Sequence, residues 1–395
     1  MSNYPSCIVE VMEETAAPQK IMGKRLFVLD SLRGIAALSV VLFHFTYGYD
    51  NGLKILSNQH FYFRFGYLGV QLFFMISGFV ILMTLEKIND SRKFIVSRFS
   101  RLYPAYWTAI ILTMLVTILV GTPFQKGVYT FKQVLVNFTM LQYWVGVKDV
   151  DGAYWTLAVE LCFYIWMWII FISNNLKRIH LFAFAWITLA LVFYSLNVPF
   201  GKYVKAALIL QHASLFAAGI GFFKLNSANQ KLRSHILIVS SLVSEFLILS
   251  KTETSVVPYF VIAAFYFMFY LFVNKKLEIL SNRFLLFFGS ISYSLYLIHE
   301  NIGTTIIYWV KQRSDSQFVY VPVAIIVVVA IAHCISKYIE RPSMKWIKNR
   351  FDFTKMNAQE SNSLTKSISG KHYYNVFPFQ TFVKKQRNIL KEKAN

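Results

Sequence analysis

Apolar residues fill most of this chain in long blocks separated by short polar joints. The blocks fall at about 28–47, 67–85, 103–120, 154–173, 179–197, 206–224, 235–250, 256–273, 285–310 and 318–338. A helix that crosses a bilayer needs about 20 largely apolar residues. The pattern therefore predicts an all-α polytopic membrane protein of about ten transmembrane helices. The segment 131–146 is shorter and aromatic, and is expected to lie at the interface or to re-enter. Three stretches follow from the same pattern: a cytoplasmic N-terminal segment 1–25, a transmembrane domain 26–350, and a basic tail 351–395. The tail is rich in Lys, Asn and Ser, which predicts a disordered cytoplasmic segment. Its "YYNVFPF" is an aromatic patch able to touch membrane.

Composition agrees with that reading. Of the 395 residues 56% are hydrophobic and only 15% are charged, against roughly 25% charged in soluble domains. The formal charge of +21 does not require nucleic acid. Cytoplasmic loops of membrane proteins concentrate Lys and Arg, and a basic tail can rest on anionic lipid. With the N-terminus inside, sixteen Lys and Arg fall before helix one and on inner connections, ten on outer ones, and twelve more follow Glu340. Both termini are thus expected in the cytoplasm. Residues 1–25 carry Glu10, Glu13, Glu14 and Pro18 without a long apolar core, so no secretory signal peptide is expected. Cys7, Cys162 and Cys334 are odd in number and lack metal-ligand spacing. They read as reduced packing residues. No metal and no bound cofactor is expected.

Ionisable groups inside spanning helices are expensive and mark functional sites or internal ion pairs. "LDSLRGIAALSVVLFHF", 29–45, holds Asp30, Arg33 and His44. Eleven steps at about 100° put Arg33 and His44 within about 20° of one helix face and about 16 Å apart along the axis. Asp30 either pairs with Arg33 at i, i+3 or takes part in chemistry. "SRFSRLYPAYW", 97–107, sets Arg98 and Arg101 on one face. They are an ordinary topology anchor or a clamp for phosphate, which guanidinium forks grip through charge-assisted bonds. "AYWTLAVELCFYIW", 153–166, brings Trp155, Thr156 and Glu160. Glu160 either bridges to an arginine or contacts an acceptor hydroxyl or His44. Thr156 on the same face favours the second reading. "SISYSLYLIHE", 290–300, carries Tyr293, Tyr296 and His299 at i, i+3, i+6, as core hydroxyls or as part of a site. Ser77 lacks a nucleophile-elbow context and reads as packing beside Gly78. His212 reads as structural. There is no Walker loop, HExxH or Gly-x-Ser-x-Gly.

Taken in order, these motifs resemble the membrane acyltransferase-3 family over about residues 25–350. Arg33 and His44 look like the basic residue and histidine of its first helix, and "GVQLFFMISGF" resembles its second-helix signature. Arg98 and Arg101 match its Arg-x-x-Arg. Trp155, Thr156 and Glu160 are similar to its Trp-Ser-Leu-x-x-Glu, and "SYSLYLIHE" and "ERP" are also family-like. Two positions depart from it: Leu161 stands where a second acid is frequent, and Gln71 where an aspartate is common. No hydrolase-like domain is expected after helix ten.

The resemblance implies transfer of an acyl group from a cytoplasmic acyl-CoA, with acetyl-CoA the expected co-substrate, to a hydroxyl of a cell-surface polysaccharide or lipid-linked carbohydrate. It implies the inner (plasma) membrane of a bacterium. The implied donor site is Arg33, Arg98 and Arg101. The implied catalytic residues are His44, Glu160 and Asp30, with Trp155, Thr156, Tyr293 and His299 supporting the acceptor. The partners would be acyl-CoA, a carbohydrate or glycolipid and the lipid bilayer, with no nucleic acid. Two rival classes fit the same helices: a transporter or flippase for a polar or anionic substrate, and a sensor or scaffold acting through the basic tail.

Overall fold

The computed structural model describes residues 27–55, 60–121, 129–196, 201–226 and 230–351. The expected N-terminal segment, and the tail with its aromatic patch, lie outside the described residues. The chain divides into two units, the first running from Met1 to Lys348. The regular structure of the described residues is all helical, with no strand among them.

Among the described residues, seven helices are long and apolar enough to cross a membrane. They are α1 (Phe27–Leu53), α2 (Gly66–Leu85), α3 (Ser91–Val120), α5 (Gly152–Ile172), α6 (Leu176–Ser195), α9 (Lys231–Thr252) and α13 (Gln317–Arg350). Between them come α4 (Phe131–Phe138), α7 (Gly201–Ala207), α8 (Ala213–Lys224), α10 (Val257–Val273), α11 (Arg283–Ile298) and α12 (Asn301–Lys311). The ten predicted blocks are all helical, but two are shorter or broken. Block 206–224 holds a left-handed residue, Ile209 (φ 43°), and a 3-10 turn before α8 begins at Ala213. Block 285–310 stops at Ile298 and restarts at Asn301, leaving His299 and Glu300 at the joint. The aromatic segment after 130 forms only the eight-residue α4, tied to α3 by Trp107 Nε1 donating to the Phe138 carbonyl (2.9 Å).

Apolar side chains cannot drive helices together within lipid, so close backbone approach and van der Waals contact do much of that work. Two glycine crossings achieve it here. On α2 and α8, a Cβ placed on Gly78 would lie 2.2 Å from the Phe216 carbonyl oxygen, and one on Gly219 would lie 2.1 Å from that of Met75. On α1 and α11, a Cβ on Gly289 would lie 2.1 Å from the Asp30 carbonyl oxygen, and one on Gly34 would meet Gly289 N at 2.7 Å. Each crossing adjoins a polar residue discussed below: Ser77 precedes Gly78, and Arg33 precedes Gly34.

Two π-helical turns interrupt otherwise regular helices, His44–Gly48 in α1 and Ser336–Glu340 in α13. Such turns add a residue to one turn, re-aim side chains and concentrate at functional sites. Overpacking a tight contact costs about 1–3 kcal/mol and occasionally more. Gly219→Ala and Gly289→Ala should each therefore lower the melting temperature of the detergent-solubilised protein. An unchanged melting temperature in both would show that these helices part without cost.

Candidate active site

Five helices converge on one cavity of about 70 Å³. Its lining includes Arg33 of α1, Arg98 and Arg101 of α3, Glu160 and Tyr164 of α5, and Ser77 of α2. Thr156, Tyr293 and Tyr296 complete its polar wall. The three arginines come from the two separate motifs singled out above. Helix geometry puts Arg98 and Arg101 on one face of α3, and the crossing at Gly34 brings Arg33 of α1 to the same space.

One carboxylate lines the cavity against these three guanidiniums. Glu160 accepts hydrogen bonds from Ser77 Oγ and from Tyr164 OH. Asp30 stands behind, with Arg33 Nη1 donating to its Oδ1 at 2.9 Å. Arg98 lies against the faces of Phe94 and Tyr164, at 5.8 and 5.7 Å from the ring centres. Arg101 has Tyr164, Glu340, Glu160 and Asp30 as its electrostatic neighbours, and Glu340 in turn accepts from Ser294 Oγ at 2.7 Å. The cavity wall thus carries three guanidiniums and one carboxylate within an apolar bundle.

His44 lies at a second cluster, built around the joint between α11 and α12. Its ring centre is 4.9 Å from that of His299, and its Nδ1 is 3.9 Å from Glu300 Oε1. His299 Nδ1 lies 2.7 Å from the Tyr296 carbonyl. A carbonyl only accepts, so Nδ1 carries the proton and Nε2 bears a lone pair. That Nε2 is buried without a hydrogen-bond partner among the described residues. Glu300 presses on Gly152, where an added Cβ would lie 2.3 Å from its Oε1.

Asp151, fully buried, holds the joint in place. It accepts from the backbone N–H of Asn301 and of Ala153, both at 3.0 Å, and so caps α12 and the first turn of α5 together. Burial holds its carboxyl above the ordinary carboxylate range, although these two N–H groups pull it down. The two clusters meet at Tyr296. Its ring packs on His299 at 5.3 Å, its hydroxyl accepts from Thr156 Oγ1 at 2.8 Å, and it lines the arginine cavity.

Most of the expected residues gather here, with rearranged partners. Asp30 is paired with Arg33, as its spacing allowed. Glu160 stands among the arginines, and the carboxyl within ion-pair reach of His44 is instead Glu300. Ser77, read from sequence as packing, is a hydrogen-bond donor to Glu160. Trp155 packs against the buried ring of His212 at 5.8 Å, and Phe74 packs on the same imidazole at 4.7 Å. Tyr293 donates to the Leu102 carbonyl at 2.8 Å, which ties α11 to α3. Sequence reasoning passed over Ser77, Tyr164, Asp151, Glu300 and Glu340. Only Glu300 and Glu340 offered a signal, each being an acid within or beside an apolar run and part of a quoted motif, "LIHE" and "ERP".

An acyltransferase-domain family profile matches residues 27–337, and the chain belongs to the acyltransferase-3 family. It is an acyltransferase, and its apolar helices make it an integral membrane protein. Among individual proteins, it is 26% identical over 281 residues to an inferred acetyltransferase of the Acidianus two-tailed virus, covering 68% of this chain and 80% of the viral protein. It is 24% identical over 368 residues to an inferred O-acetyltransferase of Staphylococcus aureus, covering 80% of this chain and 57% of that protein. The chain thus spans little more than half the length of the staphylococcal relative. Nodulation protein 10 of Rhizobium leguminosarum bv. viciae is 28% identical over 152 residues, 34% of this chain and 41% of that protein. No solved structure matches.

Breaking a buried charge pair costs about 3–5 kcal/mol, because the remaining charge has no counter-charge. Glu160→Gln should therefore lower the melting temperature and the amount of folded protein together with activity. A variant that melts like the parent would show that Glu160 is not the counter-charge of the arginines.

Proposed function

We propose that this protein is a membrane O-acyltransferase that moves an acetyl group from cytoplasmic acetyl-CoA to a hydroxyl of a carbohydrate or glycolipid acceptor. The observation that carries the reading is the pairing of a cationic cluster with an imidazole cluster that meet at Tyr296. Arg33 and His44 lie on one face of α1, about 16 Å apart along its axis. Arg98 and Arg101 join Arg33 at one end, and His299 and Glu300 join His44 at the other. The names of the viral and staphylococcal relatives favour acetyl as the acyl group. The carbohydrate acceptor follows from the resemblance to the acyltransferase-3 family.

In this reading the donor's phosphates sit on the three guanidiniums, and its extended pantetheine arm runs along α1 toward His44. The acceptor hydroxyl arrives from the opposite side. Its oxygen attacks the thioester carbonyl carbon while the His44 imidazole takes its proton. The C–S bond then breaks, the ester remains on the acceptor, and the thiolate regains a proton. Ten membrane-crossing segments with both termini in the cytoplasm would place the arginines at the donor side, since the connections there carry the excess of Lys and Arg. A bacterial plasma membrane is the setting that supplies both substrates.

The direct test incubates purified full-length protein with labelled acetyl-CoA and a carbohydrate acceptor. An ester product is expected, whereas a carrier or a scaffold yields none. Loss of a general base typically lowers the rate about 10²- to 10⁴-fold. His44→Ala should fall by that order while remaining folded and inserted, and full activity in it would remove His44 from the mechanism. Each charge-assisted contact to phosphate is worth about 1.5–3 kcal/mol. Arg98→Ala and Arg101→Ala should accordingly raise the KM for acetyl-CoA well above any change in the KM for the acceptor. Normal donor binding in both variants would leave them as topology anchors.

A further inference from the structure

A second concavity lies on the other side of Arg98, between α3 and α5. It is a groove of about 330 Å³, lined by Phe94, Ile95, Phe99, Leu161, Ile165 and Trp168 beside the residues that it shares with the arginine cavity. The shared residues are Arg98, Leu102 and Tyr164. Its rim is exposed, with Ile95 at 48% and Ile165 at 46%. Both helices are long enough to span the bilayer, so this rim faces lipid.

Three observations separate this groove from an ordinary lipid-facing surface. Arg98 is its one charged lining residue. Two of its lining residues carry a buried donor, Arg98 Nε and Trp168 Nε1, with no hydrogen-bond partner among the described residues. A buried donor left unmet costs about 1–3 kcal/mol, so a ligand acceptor there is favoured. Their depth is the third. α3 has 30 residues and is about 45 Å long, against a hydrocarbon core of about 30 Å. Arg98 is seven residues from its start, about 10 Å, close to where the hydrocarbon meets the headgroups. Trp168 is four residues from the end of α5, about 6 Å, at the same end because α3 and α5 run antiparallel along the groove.

We propose that this groove binds one anionic phospholipid. Its phosphodiester lies on Arg98, its ester carbonyl accepts from Trp168 Nε1, and an acyl chain follows the apolar wall past Leu161 and Ile165. The lipid would then occupy the Nε side of Arg98 and hold the guanidinium toward the cavity. A free anion would satisfy Arg98 but leave the apolar wall unfilled, and a zwitterionic lipid would bring its own cation against the arginine. The proposal concerns binding and does not rest on the identity of the acyl donor or acceptor.

The test titrates the detergent-solubilised full chain with dioleoyl-phosphatidylglycerol or dioleoyl-phosphatidylcholine and counts retained lipid by native mass spectrometry. The parent should retain one phosphatidylglycerol about tenfold more tightly than phosphatidylcholine, the effect of one charge-assisted contact. Trp168→Phe removes the N–H and keeps a ring, and Leu161→Trp fills the wall. Each should retain less phosphatidylglycerol than the parent while its melting temperature stays near that of the parent. Equal retention of the two lipids by the parent would overturn the proposal. So would undiminished phosphatidylglycerol retention in Trp168→Phe, whatever Leu161→Trp does to folding. Displacement of the bound lipid by millimolar inorganic phosphate would reassign the groove to a free anion and overturn it too.

Discussion

Three guanidinium groups held inside an apolar bundle are the constraint around which this molecule is arranged. Arginine at membrane depth is expensive, and proteins tolerate it only where it faces a partner or a polar passage. Arg33, Arg98 and Arg101 share one cavity, in which Glu160 is the single carboxylate of the wall. Glu160 does not stand alone: Ser77 and Tyr164 both donate to it. Those two bonds fix an acid that would otherwise be free to swing, and so set the field that the arginines experience. Behind the wall, Asp30 pairs with Arg33 and Glu340 neighbours Arg101, so three carboxylates stand about the three guanidiniums.

The surrounding helices meet the demands of that cluster. Gly78 and Gly219 let α2 and α8 touch backbone to backbone, and Ser77, beside that crossing, donates to Glu160 of α5. Arg33 reaches the cavity because Gly34 and Gly289 do the same for α1 and α11. Farther along α11, the helix breaks just where an imidazole and a carboxyl are needed. Asp151 accepts from Asn301 N and Ala153 N, which stabilises the break and places His299 and Glu300 beside His44. The π turn that begins at His44 adds a residue to α1 at the same level. The cationic and imidazole ends are therefore mechanically joined, through Tyr296 and the rigid body of α11, rather than being two independent sites on a scaffold.

Several features could be read directly from the residue order. Apolar blocks of bilayer length, joined by basic connections, specify a polytopic helical membrane protein because lipid leaves backbone groups no other way to be satisfied. The alignment of Arg33 with His44, and of Arg98 with Arg101, follows from the 3.6-residue period within single helices. The presence of costly polar groups in apolar runs marked the right segments, and five ordered motifs pointed to the family that the profile match establishes. These are local properties, or properties of order along the chain, and a sequence carries them without loss.

Partnership across helices was decided only by the tertiary structure. Nothing in the spacing of Glu160 says that it faces Ser77 and Tyr164 rather than His44, since Ser77 is 83 residues away and on another helix. Glu300 looked like the polar end of a motif until the break after Ile298 turned it toward His44 Nδ1. Blocks 206–224 and 285–310 were continuous in hydropathy, yet one is shortened by a left-handed residue and the other is split by the Asp151 cap. Hydropathy measures what a residue prefers to be surrounded by, not which neighbour supplies it. The sequence by itself determined the class of protein and the list of chemically costly residues. Which of them meet was decided by helix crossings of van der Waals closeness, where one missing Cβ sets which faces come together.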